Sequence, residues 1–305
     1  MMTPLDSEVK FLDGTVFSKK TVLIAARPLV LDDEEEGSRI FTYKEGQWLH
    51  TDVDMDVWCM CSTKTPVPTV YCIGKDGRMY VNRNGKPEQE RIKDAGHEPE
   101  KLGYLSNACV IDGIPYVCGD SGQIYRRDNS GWKHFDEGVL ERGDPLKVVA
   151  LNSIDGSSEH DIYACGRRAA LFHYDGKSWK RLPPPTPVHL KAVCCVSAKE
   201  VYLAGNDGVL LKGAEDKWEA LPTPPRCGNF SDIENFQGKV YLASDRGLFE
   251  YDGKKVERVV TGLKPSPNAY RLDANDGVLW SFGTKHLCFF DCKTWTYVKH
   301  PDNPE

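Results

Sequence analysis

Short apolar runs separated by turn residues recur along the chain, and one unit repeats: an apolar pair with Tyr, a Gly-containing turn, a second apolar strand, a polar turn, then a Trp. It reads VYCIGKDGRMYV from Val70, PYVCGDSGQIYR from Pro115, IYACGRRAALFHY from Ile162, VYLAGNDGVLLK from Val201 and VYLASDRGLFEY from Val240. A looser copy, VLWSFGTKHLCFF, starts at Val278, and a divergent one, VLIAARPLVLDDEEEGSRIFTY, at Val22. The anchors Tyr71, Tyr116, Tyr163, Tyr202, Tyr241 and Leu279 stand 45, 47, 39, 39 and 38 residues apart. A period of this size with several strands per unit belongs to a propeller blade, and strand-like patterning excludes solenoids of helix pairs.

Each unit supplies four strands. In the unit around Tyr202 they are predicted at Lys191–Val196, Glu200–Ala204, Val209–Lys212 and Lys217–Leu221. Between second and third strands stand Asn206-Asp207-Gly208 and, in the same slot elsewhere, Lys75-Asp76-Gly77, Asp120-Ser121-Gly122 and Asp245-Arg246-Gly247, residues that tolerate the positive φ of a tight turn. A second turn precedes Trp48, Trp132, Trp179, Trp218 and Trp295, with Val256 in the same place in one unit. A large apolar ring on an outer strand fills the widening wedge between blades. Prolines follow the outer strands at Pro183–Pro185 and Pro187, at Pro222, Pro224 and Pro225, and at Pro265 and Pro267, where they end a ladder.

The fold class is therefore all-β, a β-propeller of seven four-stranded blades, with six and eight as the alternatives. A single domain over 1–305 is expected, with blades at about 9–50, 57–92, 105–135, 146–182, 190–221, 230–259 and 269–298. Ring closure is open: Glu8–Leu12 could pair with the last outer strand, or Glu8–Phe17 could be the first blade's inner strand. The Gly turn followed by the DGKSW-type hairpin resembles the bacterial Asp-box (BNR) and photosystem-assembly-factor-like propellers, from about Val22 to Val298. No complete Asp box occurs, so the resemblance reaches the fold only.

Composition narrows the setting. The 305 residues are 40% hydrophobic and contain no apolar stretch of membrane-spanning length. The N-terminal MMTPLDSEVKFLDG lacks the apolar run of a secretory signal, and a cytoplasmic location is expected. Eleven cysteines, most within strand-like runs, read as reduced core thiols. A net charge of −6 argues against nucleic acid and anionic membrane and leaves a protein partner, including a basic one. The chain is expected to be a monomer on its own.

Catalytic and metal signatures are weak. Cys59/Cys61 and Cys288/Cys292 have no His or second Cys pair to complete a zinc tetrad. Asp52, Asp54 and Asp56 begin like a calcium loop but lack its Gly and bidentate Glu, and read as a solvated acidic approach to a blade. His50, His97, His134, His160, His173, His189, His286 and His300 are scattered, and no nucleophile elbow or phosphate loop occurs. Asp-box propellers include sialidases, but Arg167 and Arg168 lie adjacent in a turn and make no sugar-carboxylate clamp. No catalytic residue, metal or cofactor is predicted.

What remains is a rigid binding module. The turns between second and third strands and the links between blades lie at one end of a propeller. That end collects the acidic run Asp32, Asp33, Glu34, Glu35 and Glu36, the turn residues Asp76, Asp120, Asp207 and Asp245, and the junction residues Trp58, Tyr104, His189, Phe230 and Tyr270. The size, acidity and lack of chemistry suit an immunity or inhibitor-type protein that neutralises a toxin or effector. An assembly or scaffold factor is the alternative, and the Asp-box resemblance adds a glycan-active enzyme as a third.

Overall fold

The computed structural model describes residues 7–94, 97–144, 147–183 and 186–303. Pro184, Pro185 and the first six residues of the N-terminal stretch lie outside them. Seven antiparallel four-stranded sheets, each made of four consecutive strands, stand around a central channel. Their innermost strands are Val9–Ser18, Val57–Thr63, Leu105–Ile111, Leu151–Ser158, Leu190–Ser197, Phe230–Phe236 and Arg271–Asn275, each against the next and the last against the first. Helix is confined, among the described residues, to three single 3-10 turns.

The repeat unit explains the layering. The second strand is apolar on both faces because neighbouring blades cover both, and in Glu200–Gly205 every residue after Glu200 is buried. The outer strand faces solvent, and in Lys86–Arg91 every residue but Glu90 is exposed. Its leading Trp reaches the preceding blade: Trp179 donates its indole N–H to the Phe135 carbonyl at 2.7 Å, and Trp132 and Trp218 meet Tyr71 and Tyr163 edge to face. Such rings add to their burial a contact of about 1 kcal/mol.

The first blade uses Val9–Ser18 as its inner strand, which settles closure: Glu8–Leu12 does not pair with the last outer strand. Blades 7 and 1 therefore meet at a seam crossed by no covalent link. Side chains do the work there. Asp273 accepts the Val16 N–H at 2.5 Å, Asp276 the Lys19 N–H at 3.0 Å, and Asn275 donates to the Val16 carbonyl at 2.8 Å. Beyond the last strand the chain folds back onto blade 1. Asn303 exchanges two 3.0 Å hydrogen bonds with the Val9 backbone, as a neighbouring strand would, and His300 sits among Phe11, Phe41 and Trp48. Burial, then the charge of Arg39, holds the His300 imidazole down at a pKa of about 3, so this plug is neutral.

Candidate protein-binding face

Two residues per blade shape one mouth of the channel, and backbone geometry sets both. At the end of the second strand, Gly119, Gly166 and Gly205 lie so close to the carbonyls of residues 104, 150 and 189 that a Cβ could not fit. The close approach lets the next residue bond those carbonyls, from Asp120, Arg167 and Asn206 at 2.8, 2.8 and 3.0 Å. Their side chains are thereby fixed at the rim. Opposite them, the second residue of the inner strand faces the opening in blades 2 to 7: Trp58, Ser106, Asn152, Lys191, Ser231 and, by register, Arg271. Together with Tyr104, Asp245, Asn268 and Tyr270 these enclose a cavity of about 710 Å³.

Aromatic and charged groups divide this mouth. Trp58, Tyr104 and Tyr270 are 45, 56 and 43% exposed, and no other aromatic side chain among the described residues is exposed. Trp58 and Tyr104 lie 6.5 Å apart between ring centroids, and the Lys75 ammonium stands 5.5 Å from the Tyr104 ring. Across the opening are Arg167 and Lys191, whose side chains form no hydrogen bond or ion pair among the described residues. Burial first, then the like charges of Arg167 and Arg271, holds the Lys191 ammonium below its usual range. A smaller cleft of about 340 Å³ adjoins through Arg167 and adds Lys147, Arg168, Arg181 and His189 to the same arc, against Glu141.

The residues singled out in the sequence separate here. Tyr104, Trp58, Tyr270, Asp120 and Asp245 meet at the cavity. Phe230 also borders the cavity, but as first residue of its inner strand it is fully buried, its ring against Phe249. His189 lines the adjoining cleft, where its Nδ1 accepts the Arg168 N–H at 2.7 Å. Asp207 is exposed at its turn, and Asp76 is bound to Arg78 at 2.6 Å. The acidic run lies on the rim of blades 1 and 2 and is a folded turn: Asp32 accepts the N–H groups of Glu34 and Glu35, Arg27 bonds the carbonyls of Asp32 and Glu35, and Glu36 pairs with Arg78. Asp33 and Glu34 keep exposed carboxylates with no partner among the described residues.

Asp56 corrects another expectation. It is no solvated approach: its carboxylate takes Lys75 at 2.7 Å and Arg27 at 2.9 Å. Burial works against its charge, yet Lys75, the Gly37 N–H and Arg27 outweigh it and hold the carboxyl below the usual range. Asp52 pairs with Arg39 at 2.7 Å. Cys59 and Cys61 are buried in the wall of blade 2, Cys288 is buried in blade 7 and Cys292 is exposed; all eleven thiols are free. One trio of metal-type ligands stands together among the described residues, His97, His134 and Asp136. The two imidazoles are stacked with centroids 3.9 Å apart and 5° between planes, which sets their lone pairs side by side.

Below the mouth, the channel of about 360 Å³ is lined by Asp13, Asp155, Asp232, Glu234 and Asp273, with Arg271 at its neck. Four of these acids have a structural duty. Asp13, Asp155, Asp232 and Asp273 accept backbone N–H groups of the next inner strand, from Met60, Cys195, Leu272 and Val16. Burial pushes Asp13 up to about 7 and Asp155 and Asp273 up to about 6, and raises Asp232 and Glu234.

No family model matches the chain. Among solved structures it resembles YCF48 bound to D1 peptide, with a TM-score of 0.67 and 16% identity over 97% of this chain and 96% of that one. YCF48 from Cyanidioschyzon merolae gives 0.66 and 15% over 100% and 99%, and the WD40 propeller domain of Doa1 gives 0.66 and 11% over 93% and 92%. These likenesses concern the fold. A sequence relative reaches further: the immune protein Tsi7 of Pseudomonas aeruginosa is 30% identical over 251 residues, 81% of this chain and 82% of its own. The chain is an immunity-type, protein-binding propeller and belongs to the family of the Tsi7 immune protein.

Proposed function

We propose that this propeller protects the cell that makes it by binding a toxin protein at the aromatic mouth and holding it inactive, without chemistry of its own. The observation that carries the reading is the gathering of every exposed aromatic side chain of the described residues, Trp58, Tyr104 and Tyr270, at one opening. Half-exposed aromatics ringed by charge are what protein interfaces use as anchors. The exposed Asp33 and Glu34 on the neighbouring rim would steer a partner with basic surface toward it. Eleven free thiols suit a reducing cytoplasm, where we place the encounter.

The test is purification of the native protein with whatever it holds, followed by expression of that partner alone and together with the chain. Growth arrest by the partner alone, relieved by co-expression of the chain, is the expected result. A partner that is harmless alone would overturn the reading.

A further inference from the structure

The acidic run draws the eye in the sequence, but the mouth itself carries the opposite charge. Arg167 and Lys191 project from blades 4 and 5 into a cavity without an ion-pair partner among the described residues. Arg168, Lys147 and Arg181 stand in the adjoining cleft, Lys147 paired with Asp144 at 3.5 Å and Arg181 with Glu141 at 3.4 Å. The two acids of the mouth are held in place by amide donors: Asp120 accepts the Tyr104 N–H at 3.1 Å, and Asp245 the Asn229 N–H and side-chain amide, each at 3.2 Å, with the Arg246 guanidinium 4.0 Å from Asp245. Arg167, Lys191 and Arg271 outnumber these two carboxylates, so the opening is positive on balance, with the aromatic side chains Trp58, Tyr104 and Tyr270 lining the same cavity. We propose that this cationic arc, centred on Arg167 and Lys191, receives a carboxylate-bearing segment of the partner protein, with an aromatic or aliphatic side chain of the same segment against Trp58 and Tyr104.

Physical argument favours this occupant. Two cations set on neighbouring blades at one side of a partly enclosed space repel, and a carboxylate between them replaces repulsion with two charge-assisted hydrogen bonds. The half-buried position of Lys191 screens that gain less than a surface pair would be screened. The arc is short, and the chain bears a net charge of −6, so a nucleic acid would meet repulsion over most of the molecule. An acidic protein segment meets the arc alone, and the rest of the partner remains free to be basic toward Asp33 and Glu34.

The inference rests on the immunity reading for its partner and can be tested apart from it. Three short peptides sharing two tyrosines and a leucine, their other residues all Asp/Glu, all Asn/Gln or all Lys/Arg, are titrated against the full chain by calorimetry and Trp fluorescence, beside a short oligodeoxythymidine. The acidic peptide should bind at least about tenfold more tightly than the neutral one, weaken with salt, and find no rival in the basic peptide or the oligonucleotide. Arg167→Glu with Lys191→Glu should reverse the order of the peptides; Arg167→Gln and Lys191→Met, each checked by thermal melting, should each lower the preference should the reversal not fold. Equal binding of the three peptides, binding of none, preference for the oligonucleotide, or indifference of a folded variant to the loss of charge would overturn the proposal. If the charge-reversed chain still neutralises the purified toxin with unchanged affinity, the site is wrong and the immunity reading stands. If the wild-type chain takes the acidic peptide as described yet protects against no toxin, the site stands and the immunity reading falls.

Discussion

On blade 1 the link between second and third strands runs from Leu29 to Gly37 and carries five consecutive acids; on blade 4 the same link is the tight turn Arg167–Ala170 and carries two arginines. The longer link is the more heavily tied. Its backbone is held by Arg27, its end by Glu36 on Arg78, and its base by Asp56 beneath Arg27 and Lys75. The short turn is held by the close approach of Gly166 to Ala150 and by His189 Nδ1 on the Arg168 N–H, which leaves the Arg167 side chain to the opening. A conspicuous run of charge can thus be mostly internal wiring, while two unremarkable residues from separate blades keep their charge for a partner.

That contrast can be broken at the blade 4 turn. Gly166→Ala places a methyl against the Ala150 carbonyl and should destabilise the fold by about 3 kcal/mol or more, seen as a large drop in melting temperature. Gly46→Ala, in a turn with open space around it, should cost only about 1 kcal/mol. Next comes the aromatic wall. Trp58→Ala should weaken toxin binding by about 2 kcal/mol through faster dissociation and leave the melting temperature nearly unchanged, since the ring is half exposed. Asp56→Ala should cost about 1–2 kcal/mol of stability, because it strands Arg27 and Lys75, and should speed hydrogen exchange in 29–37 before elsewhere.

The channel separates the two arcs by pH. Asp13 titrates higher folded than unfolded, so its neutral form favours folding: that contribution is complete below the unfolded value of 3.8 and is lost as pH rises through about 7. Melting temperature should therefore rise when pH falls from about 8 to about 5.5, and Asp13→Asn should flatten the slope. A slope unchanged in that variant would remove Asp13 from the account. The smallest effect is expected on the acidic arc itself: Asp33→Asn with Glu34→Gln should leave stability within about 0.5 kcal/mol and slow association only a few-fold, with a weaker salt dependence.

The blades were legible because five of the seven carry the anchor Tyr and five the outer-strand Trp, with a turn between second and third strands in fixed order. The Gly was visible but its reason was not. Turn chemistry accounts for Gly77 and Gly208, both at positive φ, whereas Gly119, Gly166 and Gly205 answer to a neighbouring backbone that no local pattern reveals. The aromatic mouth followed from propeller geometry, with Phe230, one position before Ser231, bordering it through a fully buried ring. The cationic arc escaped because Lys147, Arg167 and Lys191 are far apart in sequence and ordinary one by one. The channel acids left a readable trace, the Asp inside otherwise apolar stretches at Asp13, Asp155 and Asp273, and a polar residue recurring at the centre of first strands was the signal to follow.

The seam between blades 7 and 1 also says something about how many blades such a ring can hold. The Val9–Asn303 pairing closes a loop of 294 residues, against about 40 for a hydrogen bond between neighbouring inner strands such as that from Cys195 to Asp155. Chain entropy grows only logarithmically with loop size, so the last closure costs about 2 kcal/mol more than any single blade-to-blade step. The Asn303 pair, Asp273 and Asn275 are enough to offset that. An added or deleted repeat would shift this cost by only about 0.1 kcal/mol. Polymer statistics are therefore nearly indifferent to blade number, which leaves the packing of each blade against its neighbours to set it.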